Sequence, residues 1–130
     1  MLTRENQALV DAARAARAQA YAPYSRFAVG AALLAKSGKI YIGANMESAA
    51  FPAGLCAERA ALAAAVTAGE RAFEAIAVCA GEKPAWPCGV CRQMLREFGG
   101  MLVIAADKDG GQAESAMLSE LLPRAFTDIS

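Results

Sequence analysis

Two short stretches carry the chemistry open to this chain: Cys56-Ala57-Glu58-Arg59 and, well downstream, Pro87-Cys88-Gly89-Val90-Cys91. Three thiols at such spacings can gather on one soft-to-borderline cation, and zinc is the ion that suits them. The chain has no histidine, so a metal site here must rest on cysteine and carboxylate. The count of ligands decides what the metal would do. A structural zinc is closed by four ligands, whereas a catalytic one leaves a corner for water. Cys56, Cys88 and Cys91 supply three. Glu58 then stands as proton acceptor beside the open corner, its affinity for a proton raised by burial.

The remaining residues of the two stretches fit around that reading. On a helix, positions two apart do not face each other, so Cys56 can hold the ion while Glu58 looks into a neighbouring cavity. Arg59 shares the face of Cys56. Three thiolates outweigh the charge of one zinc ion, and a guanidinium hydrogen-bonded to a sulfur restores the acidity such a cluster would lose. The fourth cysteine, Cys79, ends an apolar run (AIAVCA) and reads as a small core residue. Taken alone, Cys-x-x-Cys also fits a redox pair or half of a structural zinc knuckle. The whole set, with Glu58 in it, favours a working metal.

The elements that must position these groups follow from pattern. Thr3 is an N-cap with Glu5 in the first turn, and the apolar spacing from Leu9 predicts a helix to about Ala20, ended by Ala22-Pro23. Phe27–Ala35 and Ile40–Ala44 read as paired strands joined at Ser37-Gly38. Asn45–Gly54 is a loop. A helix from Cys56 to Ala68 is apolar almost all round, which predicts burial on several sides. Phe73–Ala80 is a strand, Cys88–Phe98 a helix stopped by Gly99-Gly100, and Met101–Ala106 a strand. Asp107 to Gly111 turns the chain, and a short helix spans Ser119–Leu122. The order predicts an α/β fold, a three-layer α/β/α sandwich with a central mixed sheet. Both cysteine stretches open helices, where the positive helix end favours thiolate over thiol.

Bulk composition narrows the partners. At 130 residues the expectation is one catalytic domain, 1–130. Hydrophobic residues make up 56%, more than so small a unit hides by itself, so part of that surface is expected to meet another subunit. Thirteen basic and thirteen acidic residues balance, and arginines are spread from Arg4 to Arg124. There is no basic groove for a nucleic acid and no apolar run that spans a membrane. The early charges of Arg4, Glu5, Asp11, Arg14 and Arg17 do not fit a secretory leader. A cytoplasmic, reducing location is expected, where cysteines serve as ligands or thiols.

With these motifs in hand, the sequence resembles the small, homotetrameric zinc-dependent cytidine deaminases. The likeness runs through PYSRFAVGAALL (Pro23–Leu34), GANMESA (Gly43–Ala49), CAER, PCGVCRQ (Pro87–Gln93) and LLPRAF (Leu121–Phe126). The zinc deaminase signature includes a glutamate that is not a ligand. The resemblance implies zinc on Cys56, Cys88 and Cys91, and Glu58 as the proton shuttle. It makes Asn45 and Glu47 the pair that binds the ribose hydroxyls, and Phe27 the ring packed on the pyrimidine. The backbone of Ala57 would hold the base carbonyl. Phe126 would reach a neighbouring subunit's site in a homotetramer. From the residues alone, Phe27 could be a core aromatic, Phe126 a packing anchor, and Asn45 and Glu47 the exposed side of a strand end.

Two positions depart from the family loop. Ser48 replaces a second asparagine, and Phe51 stands where tyrosine is common. Both bear on loop packing and ribose tolerance rather than on bond breaking. The expected reaction is hydrolytic deamination of cytidine and 2′-deoxycytidine to the uridines. The alternatives are a deaminase of a modified cytosine nucleoside, such as a nucleoside antibiotic, and a non-catalytic structural zinc module.

Overall fold

A computed structural model describes residues 2–127 of the chain; the outermost residues of the expected 1–130 unit lie outside that range. The first helix, α1 (Arg4–Arg17), begins where Thr3 caps it, its Oγ1 accepting from the Asn6 N–H at 3.1 Å. Glu5 in the first turn and Arg14 and Arg17 in the last complement the helix dipole. The helix stops short of Ala20. Its final turn tightens to Gln19 N–H on Ala16 O and Ala20 N–H on Arg17 O. Tyr21 then leaves to donate to the Asn45 carbonyl.

Among the described residues five strands form one mixed sheet. They are β1 (Gly30–Ala35), β2 (Ile40–Ala44), β3 (Phe73–Cys79), β4 (Leu102–Ala106) and β5 (Ala113–Met117), in the spatial order β2-β1-β3-β4-β5. Only β3 and β4 run parallel; the other neighbours are antiparallel. The parallel pair requires a crossover, supplied by α3 (Gly89–Arg96). A second helix, α2 (Ala57–Thr67), lies between β2 and β3 in sequence, and a four-residue α4 (Leu118–Leu121) follows β5. The Ser37-Gly38 connection closes as expected, with Gly38 at φ 93°.

Two cores make the three layers. On one face α1 sets Leu9, Val10 and Ala13 against Ala32, Ala75, Ala77, Cys79 and Ile104. Complete burial of Leu9 and Val10 is worth roughly 1.5–3 kcal/mol each. On the other face α2 and α3 bury Ala57, Ala61, Leu62, Ala65 and Leu95 against Ala31, Leu33, Ile76 and Val103. Close approach is enforced at two glycines. A Cβ on Gly30 would lie 2.0 Å from the Ala13 carbonyl oxygen of α1, and one on Gly43 2.4 Å from Ala61 N of α2.

Three expectations change. The fifth strand was not anticipated: the Asp107–Gly111 turn is a hairpin that returns AESAM alongside β4. The ladder of β1 starts at Gly30 rather than Phe27, because the preceding extended segment pairs with the side chain of Asn45 instead. The second helix is buried along one face in the single chain rather than on several sides. Ala63, Ala64, Thr67 and Ala68 are exposed.

Candidate active site

Cys56 is the N-cap of α2 and Cys88 the N-cap of α3, both with extended backbone, and Cys91 sits within the first turn of α3. Neither cysteine closes a capping hydrogen bond of regular geometry, although the Val90 and Cys91 N–H groups lie close enough to the Cys88 sulfur to favour its anion. The first-turn N–H groups, which lack intrahelical partners, give each helix start a positive end close to its cysteine. The three Sγ atoms lie within 4.8 Å of one another. Four-coordinate zinc with thiolate ligands spaces its sulfurs about 3.8 Å apart, a distance that small side-chain adjustments reach.

The donor set fits that ion. Burial opposes ionisation of Cys88, yet the backbone N–H and thiol of Cys91, the Val90 N–H and the Cys56 thiol outweigh it and hold the Cys88 thiol below its ordinary value. Burial, then the charges of Glu58 and Cys56, pushes Cys91 up. Three thiolates this close repel, so all ionise together only against a cation. Among the described residues no fourth histidine, cysteine or carboxylate joins the cluster.

Glu58 is the one buried charged side chain among the described residues, 4% exposed. Desolvation raises its carboxyl above the ordinary value, while a backbone donor, Cys91 and Arg59 pull it part of the way back. A carboxyl raised in this way is suited to pass a proton in both directions. Arg59 Nη2 donates to Cys56 Sγ at 3.5 Å. The sulfurs of Cys56 and then Cys91 strengthen its hold on its proton. Its Nε is buried without a hydrogen-bond partner among the described residues, a cost that an anionic sulfur cluster alongside offsets.

A cavity of about 490 Å³ adjoins the cluster, with Cys56 and Arg59 in its wall beside Asn45, Glu47 and Ser48. That volume lies in the usual range for small-molecule sites. Tyr24 and Phe51 meet edge to face across its rim, centroids 6.0 Å apart and planes at 68°. The chain enters the site through Asn45. Its Oδ1 accepts from Val29 N–H and its Nδ2 donates to Phe27 O, both at 2.9 Å. One amide hydrogen and one lone pair remain over. Glu47 accepts at one oxygen from the N–H groups of Tyr24 and Ser25, each at 3.0 Å, and at the other from the Ser25 hydroxyl. The Ser25 hydroxyl and backbone N–H hold this carboxyl below its ordinary range.

The structure thus brings Cys56, Cys88, Cys91, Glu58 and Arg59 together at one point, and Asn45 and Glu47 to the cavity beside it. Ala57, first residue of α2, is buried at the same helix end. Phe27 does not line the cavity; its half-exposed ring packs at Gly81, where a Cβ would meet Cε1 at 3.2 Å. Phe126 is 65% exposed and stays out of its own chain's cavity, its carbonyl held by Gln93 Nε2 at 2.6 Å. Cys79 is buried on the opposite sheet face, donating to the Val10 carbonyl at 3.5 Å, and burial with nearby Asp107 pushes its thiol up to about 11.

Two residues of the site escape sequence reasoning. Ser25 holds Glu47 from the middle of PYSRF. Arg92 ties the Pro87 carbonyl (2.7 Å) to the Leu121 carbonyl (2.9 Å), joining the Cys88 loop to the last helix. Arg92 sits one place past Cys91, a position whose only signal is charge.

Residues 3–106 match the family described as the cytidine and deoxycytidylate deaminase zinc-binding region. A cytidine deaminase of Sporosarcina psychrophila is 46% identical over 121 residues, covering 92% of this chain and 89% of that protein. One from Halalkalibacterium halodurans is 46% identical over 125 residues, covering 95% of each. The crystal structure of cytidine deaminase from Burkholderia pseudomallei superposes with a TM-score of 0.88 at 44% identity, covering 96% of this chain and 100% of that one.

Proposed function

Because this chain belongs to the cytidine and deoxycytidylate deaminase family, we propose that it hydrolyses cytidine and 2′-deoxycytidine to the corresponding uridines with release of ammonia. The observation that carries this reading is the buried carboxylate of Glu58 beside a three-sulfur cluster, one member of which, Cys56, lines a cavity of nucleoside size. Cys56, Cys88 and Cys91 would hold zinc. When bound, zinc supplies the Lewis acidity that makes water a nucleophile near neutral pH.

The protein's own groups do the rest. Glu58 takes a proton from the attacking water and delivers it to N3 of the ring, drawing electrons from C4 as the oxygen adds there. It then takes the proton of the new hydroxyl and gives it to the exocyclic amine. The C4–N bond breaks, ammonia leaves, and a C4 carbonyl remains. One carboxylate serves both transfers, which explains a site without histidine. The Ala57 backbone would hold the base carbonyl, and Asn45 and Glu47 would receive the ribose. Phe27, whose ring sits at Gly81 outside the cavity wall of the single chain, would have to turn from Gly81 to pack on the pyrimidine. Arg59 offsets the excess charge of the sulfurs.

The assembly belongs to the same proposal. The bare face of α2 and the exposed rings of Tyr21, Tyr24, Phe51 and Phe126 are the surfaces a homotetramer would cover, placing Phe126 at a neighbour's site. The working compartment is a reducing cytoplasm, since oxidation of Cys88, exposed in the single chain, would remove a ligand. No helix among the described residues is long and apolar enough to cross a membrane. The test is direct. Zinc-loaded protein mixed with cytidine should lose cytidine absorbance and release one ammonia per uridine; bound zinc without turnover of any cytosine nucleoside would favour a structural zinc module.

A further inference from the structure

The ribose side of the cavity depends on one hydroxyl that touches neither the metal cluster nor the base. Ser25 Oγ donates its single proton to Glu47, and one of its lone pairs receives the Phe27 N–H at 3.0 Å. Both directions of the hydroxyl are thereby used, so it cannot rotate without breaking one of them. The turn that makes this reach possible passes through Arg26, whose φ of 58° lies in the left-handed region that side-chain-bearing residues seldom enter. Arg26 N–H closes the turn onto the Ala22 carbonyl at 3.0 Å.

The acceptor count on Glu47 gives the arrangement its meaning. One carboxylate oxygen is filled by two backbone N–H groups. The other is occupied on one side by Ser25, leaving a single free direction on that oxygen. Across the cavity Asn45 has one amide hydrogen to spare. A sugar hydroxyl that reached both would donate to Glu47 and accept from Asn45, the two residues lining the same cavity.

We infer that Ser25 is the positioning residue of the ribose subsite: its hydroxyl aims the Glu47 carboxylate at the sugar and locks that carboxylate to the backbone of Phe27. Sugar-reading and base-packing groups then move as one body. The inference rests on the deaminase reading, and it adds a residue to which that reading gives no part.

The experiment compares Ser25→Ala, Ser25→Thr and Glu47→Gln, with the Ser25→Ala/Glu47→Gln double variant, on cytidine and on 2′,3′-dideoxycytidine. Zinc content and thermal midpoint are followed in parallel. Ser25→Ala should lower kcat/KM for cytidine about tenfold, the scale of one hydrogen bond to a charged group. The loss should shrink several-fold on the dideoxy substrate, which lacks the 2′ and 3′ hydroxyls and keeps only the 5′ one. Ser25→Thr should recover most of the activity. In the double variant the losses should not multiply, because both act on one carboxylate. Equal penalties on the two substrates, or fully multiplicative losses, would overturn the role of Ser25 while leaving the deaminase intact. A wild-type protein inert toward both nucleosides would overturn the deaminase reading, and this inference with it.

Discussion

Cys56 and Cys88 cap two different helices, and their sulfurs fall within 4.8 Å of each other. The N-termini of α2 and α3 therefore converge on one point, concentrating the positive ends of both helices where anionic sulfur must sit. The sheet makes this possible. Gly43 lets α2 lie against β2 at backbone contact distance, and the crossover through α3 brings Cys88 and Cys91 to the same face.

Glu58 is the group whose loss should separate chemistry from architecture. Glu58→Gln keeps the shape of the side chain and removes its proton transfer. Turnover of cytidine should fall at least about a hundredfold, the low end for general acid–base catalysis, with zinc content and thermal midpoint close to wild type. Steady-state kinetics with metal analysis checks this; near-normal turnover would remove Glu58 from the mechanism.

The four cysteines should divide three to one. Cys88→Ala or Cys91→Ala should lose zinc and with it stability, because metal-binding energy is folding energy as well. Cys79→Ala should keep its zinc and lose only about 1 kcal/mol, the scale of a small group deleted from a packed core. Plasma mass spectrometry and urea titration distinguish the two outcomes. Zinc loss from Cys79→Ala would mean that the opposite sheet face supports the cluster.

The sequence carried the site better than the sheet, for physical reasons. The helices bearing Cys56 and Cys88 were legible to within a few residues, since cap, apolar spacing and glycine stop agree at Ala57–Thr67 and Gly89–Arg96. The fifth strand was not, because AESAM has neither β-branched residues nor an apolar face; its partner β4 makes it a strand through backbone pairing. The same competition trimmed β1. Phe27 to Val29 look like strand, but Asn45 captures their backbone groups. Ser25 was invisible as well. A serine in a turn is common, and only the fold shows that it meets Glu47.

Glu70 joins the end of α2 to the first hairpin and should give a pH-dependent part of stability. Ser37 Oγ donates to it at 2.7 Å and Tyr41 Oη at 2.9 Å, and these bonds hold its carboxyl below the ordinary 4.5. A carboxyl depressed in the folded state stabilises it above the unfolded value, and that contribution is lost as pH falls through the folded value. Urea midpoints of wild type and Glu70→Gln should therefore differ at pH 7 and converge below pH 4.5. A gap that persists unchanged into acid would show that Glu70 acts by packing rather than by charge.

The bare face of α2 gives the proposed assembly its sharpest test. Ala63, Ala64 and Thr67 present small side chains to solvent, a surface that allows a partner helix to approach closely. Phe126 lies outside its own cavity, so a site that uses this ring needs a second chain. Sedimentation of the zinc-loaded protein should show four 13.5 kDa chains. Ala64→Glu, which places a charge on that face, should shift the distribution toward smaller species. Activity should fall in step with the loss of tetramer while each chain keeps its zinc, because Cys56, Cys88 and Cys91 all come from one chain. A wild type that sediments as a fully active monomer would remove both the tetramer and the borrowed Phe126.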